Sequence, residues 1–320
     1  MRTMLVTGGA GFIGAHLCRT LLGRGDAVIC LDDLSTGRLA NLSGLAGRAG
    51  FTFVEHDVTR PFAVEADAIF NLACPASPVD YQRDPVRTLD TCYLGTRHAL
   101  ELARSRGIPL VQASTSEVYG DPEVHPQTES YRGNVDPVGP RACYDEGKRV
   151  AESLCRAYAE TRGVAVHIAR IFNTYGPGMR TDDGRVIPTF LHQLRDGRPL
   201  TVFGNGQQTR SFCYVSDLVD GLIRLLDLPG ADGRPTNLGN PHEVTINRVV
   251  EVLGALIGRP LAVEHRPLPT DDPRRRRPDI GRAGELLGWR PVVTLAEGLT
   301  RTLAATQPAA VAAPIRAAAL

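Results

Sequence analysis

The chain has 320 residues, 42% of them hydrophobic, with 36 basic against 35 acidic side chains and a net charge of +1. A chain this long buries enough apolar surface to fold without metal or disulfide staples, and its near-neutral balance provides no field for nucleic acid or a membrane surface. The seven cysteines are odd in number and form no C-x-x-C pair, which argues against a secreted disulfide framework or zinc site and for a reducing, cytoplasmic setting; no apolar run approaches a membrane span.

Short, continuous apolar runs at 3–7, 27–31, 51–56, 67–71 and 108–113 read as strands covered on both faces. Amphipathic segments at 10–22 and 86–106 lie between them, and a helix at 144–161 and a strand at 164–170 continue the alternation. This pattern predicts an α/β fold, a Rossmann-like doubly wound parallel sheet with ligands at the carboxyl ends of its strands. After Asn173 the texture changes: glycine- and proline-bearing loops at 175–184, 204–208 and 267–278 interrupt shorter elements. The expected division is residues 1–172, with part of the later chain returning to them, then a smaller interwoven lobe at 173–306 and a frayed alanine-rich tail at 307–320.

The first strand runs into TGGAGFIG at 7–14, in which Gly9, Gly11 and Gly14 satisfy G-x-G-x-x-G and Gly8, Gly11 and Gly14 satisfy G-x-x-G-x-x-G. Side chains here would block the turn, the approach of the backbone to a pyrophosphate and close helix–strand packing. The helix that follows offers free N–H groups and a positive dipole end to phosphates. Asp32 closes the second strand eighteen residues after Gly14, placed for the hydroxyls of an adenosine ribose, and Asp33 follows it. Two carboxylates there repel a 2′-phosphate, which favours NAD over NADP, although Arg38 stands nearby as a counter-argument. Asp57, at the end of the third strand, is placed to meet adenine.

Tyr144 and Lys148 stand four apart on one helical face. An ammonium beside a phenol favours phenolate, so the tyrosine is expected to act as base towards a sugar hydroxyl while a hydride leaves for nicotinamide. Gly147 inside that helix costs stability unless something packs closely against it. The fifth strand runs into Ser114-Thr115-Ser116-Glu117, whose hydroxyls and carboxylate are expected to face the cleft.

TGGAGFIG, STSEVYG and YDEGK together resemble the extended short-chain dehydrogenase/reductase superfamily, whose members act on nucleotide sugars. Longer strings resemble its UDP-glucuronate decarboxylase (UDP-xylose synthase) family: NLACPASPVDYQRDPVRT from Asn71, ASTSEVYGDPEVHPQTE from Ala113, NVDPVGPRACYDEGKRVAE from Asn134, RIFNTYGP from Arg170, DGRVI from Asp183, QTRSFCYVSDLVDGL from Gln208, NLGNP from Asn237 and DDPRRRRPDI from Asp271. The likeness spans about residues 3–304. It implies C4 oxidation of UDP-glucuronate, loss of carbon dioxide from the 4-keto acid and re-reduction by the same retained cofactor, with no metal. Sugar-nucleotide 4,6-dehydratases typically carry Asp-Glu where this chain has Ser116-Glu117, and 4-epimerases usually lack the glutamate. A 4-epimerase, a 4,6-dehydratase and a non-catalytic NAD-bound sensor are the alternatives.

At the end of the fifth strand Thr115 or Ser116 is placed to hydrogen-bond the reacting hydroxyl and Glu117 to contact the sugar or shuttle a proton, and by the same likeness Arg276 binds the carboxylate or aids proton transfer at C5. NAD contacts extend to Phe12, Ile13, Leu34, Ser35, Thr36, Gly37, Val58, Leu72, Ala73, Cys74, Thr91 and Ala113. Pro75, Ala76 and Ser77 line the sugar pocket, Asn173, Arg185 and Arg210 meet the diphosphate and its neighbours, and Val202 and Phe203 flank uracil. The likeness also implies a homodimer built from the helices at 86–106 and 144–161. This chain departs from the family's usual residues at Cys92 (asparagine), Gly178 (arginine, with Arg180 two places on) and Arg132 (tryptophan).

Overall fold

The computed structural model describes residues 1–268 and 275–305. The expected tail at 307–320, and 271–274 of the basic loop, lie outside the described residues.

The first half builds strands β1 (Thr3–Thr7), β2 (Ala27–Asp32), β3 (Phe51–Glu55), β4 (Ala68–Asn71), β5 (Leu110–Thr115) and β6 (Val166–Ile171). Helices α1 (Phe12–Gly23), α2 (Pro78–Tyr81), α3 (Pro85–Asp90), α4 (Thr96–Arg106) and α5 (Ala142–Arg162) alternate with them. Every strand predicted here forms, with ends displaced by two residues or fewer.

Beyond it come β7 (Thr174–Tyr175), α6 (Val186–Arg195), β8 (Leu200–Phe203), β9 (Thr209–Ser211), β10 (Cys213–Tyr214), α7 (Val215–Asp227), β11 (Pro235–Leu238), β12 (Glu243–Thr245), α8 (Ile246–Ile257), β13 (Val263–Arg266), α9 (Gly281–Leu287) and α10 (Leu295–Ala305). The central sheet has seven strands in the order β11-β6-β5-β4-β1-β2-β3, and all its pairings are parallel. Met4, Leu5 and Val6 of β1 are fully buried, because helices cover both faces of the sheet. The remaining strands pair as β7 with β10, β9 with β12 and β8 with β13.

Strand order reverses between β1 and β4, the topological switch point at which α/β sheets open a crevice. Within the later chain, the segment after α9 is fastened to α7 by a buried polar knot. Trp289 donates its indole N–H to the carbonyl of Asp217 on α7, and the Asp217 carboxylate accepts the N–H groups of Val292 and Val293.

The helix predicted at 86–106 is one continuous run with a fault in it. Between α3 and α4, Thr91–Gly95 form a wide π-type turn, and the backbone stays right-handed helical through Asp90, Thr91, Gly95 and Thr96. The extra residue carries Cys92 inward against α5, at the point where Gly147 has no side chain to obstruct it. That close packing is the reason a glycine is tolerated inside α5, in its second turn.

Candidate active site

A cleft of about 610 Å³ runs along the carboxyl ends of the strands. Its near end is made by the β1–α1 turn. A Cβ on Gly8 would lie 2.8 Å from the backbone nitrogen of Ala73, and one on Gly14 would lie 2.2 Å from the carbonyl oxygen of Gly8. Gly11 precedes α1 and no side chain caps the helix, so its first N–H groups face the cleft with a positive dipole. Phe12 and Ile13 line the same end.

Asp32 is buried at the tip of β2. Its carboxylate accepts the N–H groups of Ala10 at 2.9 Å and Leu34 at 2.8 Å. Burial pushes its pKa up to about 6, against the pull of these backbone donors. Gly37 packs on this carboxylate; Leu34 turns towards the hydrophobic core with φ +59°, and neither is among the cleft-lining residues, whereas Ser35 and Thr36 are. Asp33 holds the Ser35 backbone N–H and hydroxyl. Arg87 on α3, which the sequence reading missed, binds both Asp33 at 2.5 Å and Asp57 at 3.2 Å. Arg38 instead pairs with Asp182.

The middle of the cleft is floored by Val58, Leu72, Ala73, Cys74, Thr91 and Ala113. Thr7 accepts the N–H groups of Leu72 and Ala73, which fixes the loop after β4. The glycine cradle, the uncapped helix end and the ribose-level carboxylate fit a dinucleotide laid across the switch point. Among the described residues, no group of three or more His, Cys, Asp and Glu is arranged to hold a metal ion.

At the far end, α5 presents Tyr144 and Lys148, both buried. The Tyr144 ring stacks on Tyr81 with centroids 4.9 Å apart. Lys148 Nζ donates to the carbonyl of Ala113 at 3.0 Å and stands 5.8 Å from the tyrosine ring centre. Burial pushes the Tyr144 phenol well up, neighbouring Cys74 and Glu117 add to this, and a hydrogen bond with Thr115 opposes it.

Thr115 ends β5 beside the phenol and Ser116 follows it, both buried yet lining the cleft. Glu117 lies between two guanidinium groups, since Arg141 donates to one carboxylate oxygen and Arg276 to the other, the latter at 3.3 Å. Burial would raise its pKa, but Arg276 and Arg141 outweigh that and hold it below the ordinary value. Asp145, next to Tyr144, goes the other way: burial and then the charge of Glu117 push it up to about 8. Sequence reading missed Arg141, Asp145 and Tyr81, although Arg141 stands three residues before Tyr144.

Pro75, Ala76 and Ser77 line the cleft after β4, and Ser77 caps α2 by accepting the Asp80 N–H. Asn173, Arg185, Phe203 and Arg210 reach the cleft from the later chain. Arg185 makes a bidentate pair with Asp183, and Arg210 donates to the carbonyl of Thr209. Val202 is fully buried within β8 and does not line the cleft, whereas its neighbour Phe203 is 40% exposed. Strand alternation sends these two side chains to opposite faces. Gly178 and Arg180 line the cleft, and Arg180 takes Asp80 at 3.0 Å to each carboxylate oxygen.

Residues 4–239 match the model of the NAD dependent epimerase/dehydratase family. The chain is 50% identical over 302 residues to UDP-glucuronic acid decarboxylase 1 of Danio rerio, covering 94% of this chain and 72% of that protein. It is 51% identical over 298 residues to UDP-glucuronic acid decarboxylase 1 of Arabidopsis thaliana, covering 93% and 68%. The crystal structure of UDP-glucuronic acid 4-epimerase from Bacillus cereus, in complex with UDP-glucuronic acid and NAD, superposes with a TM-score of 0.84 at 26% identity, over 95% of this chain and 98% of that one. The matched segment takes in the glycine cradle, Asp32, Glu117, Tyr144 and Lys148, and the chain belongs to the NAD dependent epimerase/dehydratase family.

Proposed function

We propose that the protein converts UDP-glucuronate to UDP-xylose and carbon dioxide. The observation that carries this reading is the pair of arginines, Arg141 and Arg276, gathered on Glu117 beside Tyr144. Two guanidinium groups around one carboxylate leave a surplus of positive charge where the uronic acid carboxylate must be held. The decarboxylase names of relatives at 50–51% identity support it further.

NAD held by Gly8–Gly14 and Asp32 supplies the acceptor for the C4 hydride, its return, and a positively charged ring that favours the Tyr144 phenolate. Tyr144 takes the proton of the C4 hydroxyl, and Thr115 orients that oxygen. In the 4-keto sugar the C6 carboxylate is β to a ketone, so the C5–C6 bond breaks with its electrons flowing to O4. The Tyr144 and Thr115 hydroxyls stabilise that oxygen as charge develops on it. Arg276, tied to Glu117, binds the carboxylate before it leaves. Asn173, Arg185 and Arg210 hold the diphosphate, and Phe203 covers uracil.

We assign residues 1–172 chiefly to the cofactor and 173–306 chiefly to the UDP portion. We also assign a homodimer, supported by the exposed apolar side chains Val86, Leu89, Tyr93 and Val150 on α3, the wide turn and α5. A cytoplasmic setting is supported by seven free cysteines; among the described residues no helix is long and apolar enough to cross a membrane.

The test is mass spectrometry of products from UDP-glucuronate with no NAD added. Carbon dioxide and UDP-xylose are expected from the purified protein, and Tyr144→Phe is expected to lose at least about a thousandfold in turnover while keeping its NAD. UDP-galacturonate formed without carbon dioxide would overturn the assignment.

A further inference from the structure

Two thiols meet beneath the reacting end of the cleft. Cys74 follows β4 and lines the cleft, and Cys92 is sealed inside the wide turn at 2% exposure. Their Sγ atoms are 3.3 Å apart. Cys92 also presses on the catalytic helix, because a Cβ on Gly147 would lie 3.0 Å from its Sγ. Gly147 stands between Tyr144 and Lys148. The pair therefore sits under both groups, and neither sulfur takes part in the reaction proposed above.

We propose that Cys74 and Cys92 form a peroxide-sensitive dithiol whose closure to a disulfide reversibly shuts off the active site. Cys74 is the thiol that a small hydroperoxide can reach, since it borders the cleft. Its hydrogen bond with Cys92 brings the Cys74 thiol down to about 7 against the opposing effect of burial, with Lys148 assisting. This provides thiolate, the reactive form, at neutral pH. The Cys74 thiolate attacks one peroxide oxygen; an S–O bond forms, the O–O bond breaks, and the departing oxygen takes a proton to leave as water. Cys92 Sγ then attacks the sulfenic sulfur, the S–S bond forms, the S–O bond breaks, and the hydroxyl leaves as water with the Cys92 proton. Hydrogen peroxide gains two electrons and each sulfur gives up one. Closure draws the sulfurs in from 3.3 Å. It thereby pulls the loop carrying Pro75–Ser77 towards the turn that supports Gly147, displacing sugar pocket and catalytic helix relative to each other.

The experiment treats the whole protein with hydrogen peroxide, blocks free thiols, digests without reduction and analyses the peptides by mass. A linked Cys74–Cys92 peptide is expected, together with a loss of at least about tenfold in turnover that dithiothreitol restores. Cys92→Ala, and the size-preserving Cys92→Ser, are expected to keep basal turnover within about twofold and to resist reversible inactivation. The linked peptide is read without turnover and so stands apart from the substrate assignment. Three results would each overturn the proposal: no Cys74–Cys92 linkage under peroxide, a Cys74–Cys143 linkage in its place, or wild-type sensitivity in both Cys92 variants.

Discussion

Asp145 illustrates how one residue's surroundings set its chemistry. It is buried beside the carboxylate of Glu117, and two arginines serve Glu117 first. Asp145 is left to carry a proton, with its pKa pushed up to about 8, above the roughly 3.9 of an unfolded aspartate. Between those values the folded protein binds the extra proton. The stability linked to this site is therefore fully present below about pH 4 and is lost as pH rises towards 8. Asp145→Asn, which mimics the protonated acid, is expected to flatten the fall in Tm between pH 5 and 8 by a few degrees, as read by calorimetry in a pH series. An unchanged slope would show that Asp145 is ionised throughout. Much at this scale was legible beforehand: Gly8 to Gly14, Asp32, Tyr144 and Lys148 carry spacing signatures. Asp145 and Arg141 carry none, since their roles depend on what burial brings beside them.

Among the elements, the run from α3 to α4 shows the limit of periodicity. Its amphipathic pattern was visible in the sequence, but the wide turn at Thr91–Gly95 was not. Such a turn arises from packing, here the contacts of Gly95 with Val58 and of Cys92 with Gly147. The same run exposes Val86 at 69%, and α5 exposes Val150 at 43%. A charge at both positions would be buried unpaired in the proposed dimer. The Val86→Glu/Val150→Glu double variant is therefore expected to weaken association by at least about tenfold in sedimentation velocity. A variant that sediments as wild type would place the interface elsewhere.

At the level of the whole molecule, the two halves of the chain meet through charged contacts, Arg38–Asp182, Arg180–Asp80 and Arg276–Glu117 among them. Arg180 from the later half grips Asp80 from the earlier one, and both are largely buried. Breaking one side of a buried pair costs about 3–5 kcal/mol, although Ser77 continues to donate to Asp80. Arg180→Ala is expected to lower Tm by roughly 5 °C or more and to raise KM for the sugar nucleotide more than it lowers kcat. An unchanged Tm would assign the pair to the solvent-screened surface. By itself the sequence determined the doubly wound sheet, the dinucleotide cradle and the Tyr144–Lys148 pair, because each is written in local spacing: continuous apolar runs, glycines where backbones touch, one helical turn between two side chains. Only the tertiary structure decided the partners. Lys148 turned to Ala113, Arg141 came to Glu117, Arg87 bridged Asp33 and Asp57, and Cys74 met Cys92. Those meetings join residues whose loops and helices converge at the strand ends, where desolvation, and not spacing along the chain, fixes which charges survive.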